Sequence, residues 1–197
     1  MKKNIYYSLL ISAMVSVSAA EETRQVDKHE HGVGELNIAI EGNAIDFEFF
    51  IPGADIVGFE YEAKTESDIA LVNAALEKFG NFDNIFSLPE SSNCNLVNSE
   101  IGVNQDDDHD DHDDHDDHDD HDDHDDHDEH DEEAHNEFVA HYSFNCGNIK
   151  EIDRISFPYF TTFPNSGELE VQFVSEIGST SFEVEGDEPF IDLKGKI

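Results

Sequence analysis

Tryptophan is absent from this 197-residue chain, and cysteine occurs only twice. Cations are scarce as well: ten Lys and Arg stand against 48 Asp and Glu, for a formal net charge of −38. A chain this poor in bases is not a nucleic-acid binder, because that affinity comes from Lys and Arg meeting phosphates. An anionic membrane surface repels it for the same reason. The partners left open are cations and proteins with basic faces. Past the N-terminal stretch, no apolar run approaches the roughly 20 residues that span a bilayer. Catalytic signatures are missing too: no nucleophile–base arrangement, phosphate loop or HExxH occurs. The carboxylates are too many to single out a working pair, so the chain is not expected to be an enzyme.

The N-terminus has an order of its own. Lys2 and Lys3 precede the apolar run IYYSLLISAMVSVSAA, which closes on small residues with Ser18 and Ala20 at its end. Basic, then apolar, then small is the pattern of a secretory signal peptide, here residues 1–20. The expected mature chain, residues 21–197, is a soluble, exported, single domain. An oxidising compartment favours pairing Cys94 with Cys146. A zinc site built on the two thiolates is the alternative, although neither has a CxxC or CxxH neighbour. A disulfide would close a loop of about 50 residues and contribute about 4 kcal/mol in the chain-entropy model.

Inside that loop lies DDDHDDHDDHDDHDDHDDHDDHDEHDEE, Asp106–Glu133. His109, His112, His115, His118, His121, His124, His127 and His130 recur at every third residue, and all other positions are acidic. Such a run builds no core. Asp is a poor helix former and its like charges repel, so without a cation the run is expected to be extended and disordered. Metal changes the balance. Neutral imidazole ligates zinc and other first-row divalent ions, and carboxylate completes a zinc shell. The carboxylates also concentrate cations. They favour protonated imidazole, so protons should compete with metal at about pH 6. Calcium prefers oxygen ligands, but it has no use for eight imidazoles, and its loops usually need glycine at turns. Ordering costs about 1–2 kcal/mol per residue, so several moderate sites are expected in the run, and any tight site on the folded domain.

The flanks read as strands and helices. Leu36, Ile38 and Ile40 alternate with polar or small residues, Gly42-Asn43 signals a hairpin, and Ile45, Phe47, Phe49 and Ile51 form the returning strand up to Pro52. Thr65 caps a helix with Ile69, Val72, Leu76 and Phe79 on one face, ended by Gly80. A weaker strand starts at Cys94, and a flexible loop is expected over 98–136. Phe138, Ala140, Tyr142 and Phe144 mark the next strand. Asn148 is expected to cap a short helix holding Ile149, Ile152 and Ile155, stopped by Pro158. Leu169, Val171 and Phe173 form a strand, Phe182 and Val184 another, and Pro189–Leu193 a short edge. The expected fold is α+β: a mostly antiparallel sheet, two helices on one face, and the long His/Asp-rich loop inserted between strands.

Four histidines stand outside the repeat. His29 and His31 form H-x-H, whose imidazoles point the same way in an extended chain. His135 follows the run and His141 lies in the next strand. A joint site from His29, His31 and His141 requires their strands to be neighbours; the alternative is ordinary surface or packing histidines.

HEHGVGELNIAIEGNAIDFEFFIPGADIVGFE, residues 29–60, resembles the opening of the ZrgA-type zinc-uptake proteins of Gram-negative bacteria, a former domain of unknown function. His29-Glu30-His31-Gly32, Pro52 and Gly58-Phe59-Glu60 carry the resemblance. It continues through Cys94, the His-rich insert, HNEFVAHYSFNC (135–146), Phe163-Pro164 and Glu170-Val171-Gln172, covering nearly the whole mature chain. The HDD repeat is more regular and richer in Asp than mixed His-rich inserts. The resemblance implies a periplasmic protein that binds Zn2+ and works with an inner-membrane ABC importer. A metal buffer without a dedicated transporter and an acidic interaction module are the competing expectations.

Overall fold

A computed structural model describes residues 32–105 and 136–197. His29, His31, His135, the signal segment and the His/Asp run lie outside the described residues.

The predicted first hairpin forms. Strands β1 (Val33–Glu41) and β2 (Ala44–Pro52) pair antiparallel with Glu41 opposite Ala44. Gly42 takes the first turn position at φ +59°, a conformation that favours glycine. Helix α1 (Gly53–Val57) follows directly and ends in Gly58 at φ +86°. At five residues it is too short to show a periodicity in the sequence. Helix α2 (Glu66–Gly80) starts as predicted, with the Thr65 hydroxyl accepting the Asp68 N–H at 3.1 Å. Its inward face is Val72, Ala75, Leu76 and Phe79. Ile69, expected on that face, is 45% exposed, because the first turn of α2 extends past the packed core.

Strand β3 runs from Cys94 to Gln105 and β4 from Asn136 to Cys146. The expected loop over 98–136 is therefore too long at its start: residues 98–105 are strand, paired to β4. The polar NSEIGVNQ stretch hid this, since only one face of an edge strand needs apolar residues. Val97 stands at a register shift in that edge. The helix expected over Ile149–Ile155 is corrected as well. A 3-10 turn at Ile149–Glu151 gives way to strand β5 (Arg154–Ser156). Ile149, Ile152 and Ile155 are all buried, but a spacing of three does not separate helix from extended chain, and β-branched residues favour the latter. The short helix α3 (Tyr159–Thr162) comes after Pro158 instead.

Strands β6 (Glu168–Ser175) and β7 (Gly178–Glu185) form the last hairpin, and β8 (Phe190–Asp192) pairs with β5 in a separate small sheet rather than edging the large one. The large sheet has the order β3-β4-β2-β1-β6-β7. All its pairings are antiparallel except β1 with β6, so the sheet is mixed and mostly antiparallel.

One sheet face carries the core, and phenylalanine fills it. Phe47 stacks on Phe86 at 4.1 Å between ring centroids, and Phe79 stacks against both Phe138 and Phe163. The buried Tyr142 hydroxyl donates to the Phe79 carbonyl at 2.6 Å, tying β4 to the last turn of α2. Burial also pushes the Tyr142 and Tyr159 phenols well above their ordinary pKa. The other sheet face is polar. No Lys or Arg occurs in any of the six strands of this sheet, whereas Glu35, Asp46, Glu48, Glu100, Glu170 and Glu183 all alternate outward.

Candidate metal site

His141 is the one candidate ligand from the sequence that lies among the described residues. Strand alternation turns it to the polar face, opposite Glu48 on β2 and Glu100 on β3. Its Nε2 is 3.6 Å from Asp46 Oδ1. The Ser143 hydroxyl donates to the same Asp46 oxygen and lies 3.5 Å from His141 Nε2. This is a half-exposed polar pair, not a closed ligand shell. Among the described residues no three His, Cys, Asp or Glu side chains are grouped as a metal ion requires.

β2 lies between β1 and β4, so the strand that follows His29 and His31 is not the neighbour of the strand that carries His141. His141 shares a row with Glu48 and Asn37, and Gly32 lies five residues along β1 from Asn37. At about 3.3 Å per residue and 4.8 Å per strand, Gly32 and His141 are roughly 19 Å apart.

The structure brings other points together. Gly32, next in sequence to His31, and Asn136, next to His135, sit at the same end of the sheet, on either side of the end of β2. Asp55 of α1 holds one of them: its Oδ1 accepts the Gly32 N–H at 2.9 Å. Asn136 is held by main chain, donating from N to Glu60 O at 2.7 Å and from Nδ2 to Tyr61 O at 3.0 Å. Gln105, the last residue before the His/Asp run, is paired with Asn136. Gln105 and Asn136, the described residues that flank the run, therefore lie on one rim with Gly32, the last residue of the HEHG motif.

The cysteines are at the opposite end. Cys94 and Cys146 are bonded at 2.01 Å between sulfurs and paired in register, so neither is a zinc ligand. Along β3 they are roughly 35 Å from Gln105, at about 3.3 Å per residue. The β3–β4 ladder, rather than the disulfide, holds the ends of the run together. Asp55 and Asn136 were not singled out in the sequence. Their only signal there is position, one just after Pro52-Gly53 and the other just after His135.

A family model for ZrgA family zinc uptake proteins matches residues 28–193. The chain belongs to this family. The matched residues take in both sides of the rim, the disulfide and both sheets. No curated protein matches the sequence. Zinc is thus the metal that the family points to for this ZrgA-family chain, in line with the imidazole-rich donor set. Among the described residues no helix is long and apolar enough to cross a membrane.

Proposed function

We propose that this ZrgA-family chain is an exported, periplasmic zinc-capturing protein that delivers Zn2+ to an ABC-type importer. The observation that carries this reading is the convergence at one rim. Gln105 and Asn136, which flank a sequence with eight imidazoles, stand at the same end of the sheet as Gly32, which ends the HEHG motif. The run collects zinc at many sites of moderate affinity, and His29, His31 and His135 provide tighter ligands at the rim. Transfer then proceeds over a short distance within one molecule, where effective concentrations are high. The N-terminal basic–apolar–small order supports export, and the Cys94–Cys146 disulfide fits an oxidising compartment.

The test is zinc titration with chelator competition on the mature chain and on a variant with Asp106–Glu133 replaced by a short Gly/Ser linker. Capture at the rim predicts that the variant keeps a tight site of low stoichiometry while the weaker sites vanish. Loss of all zinc binding with the run leaves a metal buffer. Delivery is tested separately, by zinc-limited growth of cells carrying or lacking the importer.

A further inference from the structure

The large sheet ends in two strands that pair on one side only, β3 and β7. An open edge is a template for another chain, and proteins usually blunt it with Lys, Pro or a bulge. The β3 edge is interrupted by its register shift between Leu96 and Asn98. The β7 edge is not blunted. Gly178–Glu185 contains no Lys and no Pro, and it pairs with β6 along its whole length without a register shift. The turn sets its phase. Ser175 and Gly178 close a two-residue turn as a hydrogen-bonded pair, so Ser179, Ser181 and Glu183 direct their main-chain N–H and C=O groups away from β6. Among the described residues no main-chain hydrogen bond reaches these three positions from outside the hairpin.

The side chains at this edge say what kind of strand it suits. Glu35, Glu170 and Glu183 stand directly opposite one another on β1, β6 and β7, all exposed and all on the polar face. Like charges in that relation destabilise a sheet. No Lys or Arg of the six strands offsets them, and among the described residues none of the three has an ion pair. Lys196 lies over the Phe182 ring, 5.6 Å from its centroid, on the other face of the sheet. A concavity of about 370 Å³ opens beside the row, lined by Glu170, Gln172, Ser181, Phe182 and Glu183. In strand addition the open main chain supplies affinity for an extended segment, and the side chains decide which segment. A second copy of a chain with net charge −38 is repelled, and it brings carboxylates against carboxylates. A strand with Lys or Arg at alternate positions meets the row with the opposite sign.

We infer that the β7 edge is a docking site for an extended cationic segment of a partner protein, which adds to the large sheet with its Lys or Arg side chains toward Glu183 and Glu170. Its intervening side chains fall beside Thr180 and Phe182, which are half-buried on the other face. The inference does not depend on where zinc binds.

The test uses the mature full chain and a defined probe, the synthetic peptide Thr-Lys-Val-Lys-Thr-Lys-Val-Lys with blocked ends. Binding is followed through the amide resonances of β7, so that peptide held by the His/Asp run does not count. Saturable shifts at Ser179, Ser181 and Glu183 are expected, together with protection of these amides from hydrogen exchange. A peptide of the same composition with its lysines contiguous should bind the edge about tenfold more weakly. Two variants separate main chain from charge. Ser181→Pro removes an outward N–H and puts a ring in the path of the added strand, at a position where an edge strand tolerates proline. Glu183→Lys reverses the end of the acidic row. Each should weaken the β7 response about tenfold, whereas Glu77→Lys, the same change of charge on the exposed side of α2, should stay within about twofold of the parent. If Ser181→Pro does not fold, Glu183→Lys and the exchange protection decide. Shifts that miss β7, or folded variants within about twofold of the parent, overturn the inference and leave zinc capture untouched. A concentration-dependent dimer of the parent that Ser181→Pro abolishes overturns it in favour of a second copy.

Discussion

Removing the disulfide should weaken the fold and, on the proposed reading, leave zinc capture unchanged, because the bond and the rim lie at opposite ends of the β3–β4 ladder. The bond joins residues 52 apart in sequence. In the chain-entropy model a closure of that length stabilises the fold by about 4 kcal/mol. For a domain of this size, 1 kcal/mol moves the melting temperature by about 2–4 °C, so replacing both cysteines with alanine should lower it by roughly 8–16 °C. Lost packing at the buried Cys146 adds to this. Replacing Asp106–Glu133 with a short linker shortens the closed loop to about 30 residues and changes the contribution of the bond by only about 0.5 kcal/mol, because the dependence is logarithmic. Thermal unfolding of four proteins, with and without the bond and with and without the run, measures both effects and their coupling. A loss below about 1 kcal/mol, or a coupling well above it, would refute the loop-closure reasoning. A tenfold fall in zinc affinity on removing the bond would refute the separation of the two ends.

Four further outcomes are expected. Tyr142→Phe strips the Phe79 carbonyl of its buried donor and should destabilise the domain by about 1–3 kcal/mol, read by urea unfolding. The phenols of Tyr142 and Tyr159 are raised in the folded chain by burial, so the folded state holds its protons where the unfolded state, titrating at about pH 10, has lost them. Stability should be flat with respect to these groups below that pH and fall as pH rises beyond it, and Tyr142→Phe should soften the fall. Gly53→Ala places a Cβ onto the Asn136 side chain and 2.7 Å from Phe59 O, so a loss of about 1–3 kcal/mol is expected, measured by thermal unfolding. His141→Ala in the run-replaced chain should change zinc affinity less than twofold, since His141 is mid-sheet and far from the rim.

Alternation made the sheet legible. In β1, β2, β4 and β6 most inward positions carry apolar residues in alternation, and those residues supply much of the core. The α2 start was legible through a local hydrogen bond, Thr65 to Asp68. Partnership was not legible. Ile152 and Ile155 read equally well as a helix face until β8 pairs with β5, and the polar edge β3 becomes strand only because β4 is beside it. The site divided in the same way. Imidazole spacing and the H-x-H pair gave the metal chemistry, but the strand order that parts His141 from Gly32 is a long-range property. Asp55 and Asn136 draw their importance from burial and from what they hold, neither of which a sequence displays.

The pairing of Gln105 with Asn136 has a consequence for how such a chain can change over generations. Gln105 and Asn136 flank the repeat and face each other in a finished ladder, so the ladder does not register how many His-Asp-Asp triplets lie between them. Doubling a loop costs only about 0.6 kcal/mol of closure entropy. A tract of identical triplets is also the kind of sequence that lengthens and shortens readily in copying. The number of imidazoles carried per molecule is then a trait that can drift or be selected on its own, triplet by triplet, while the folded frame stays as it is.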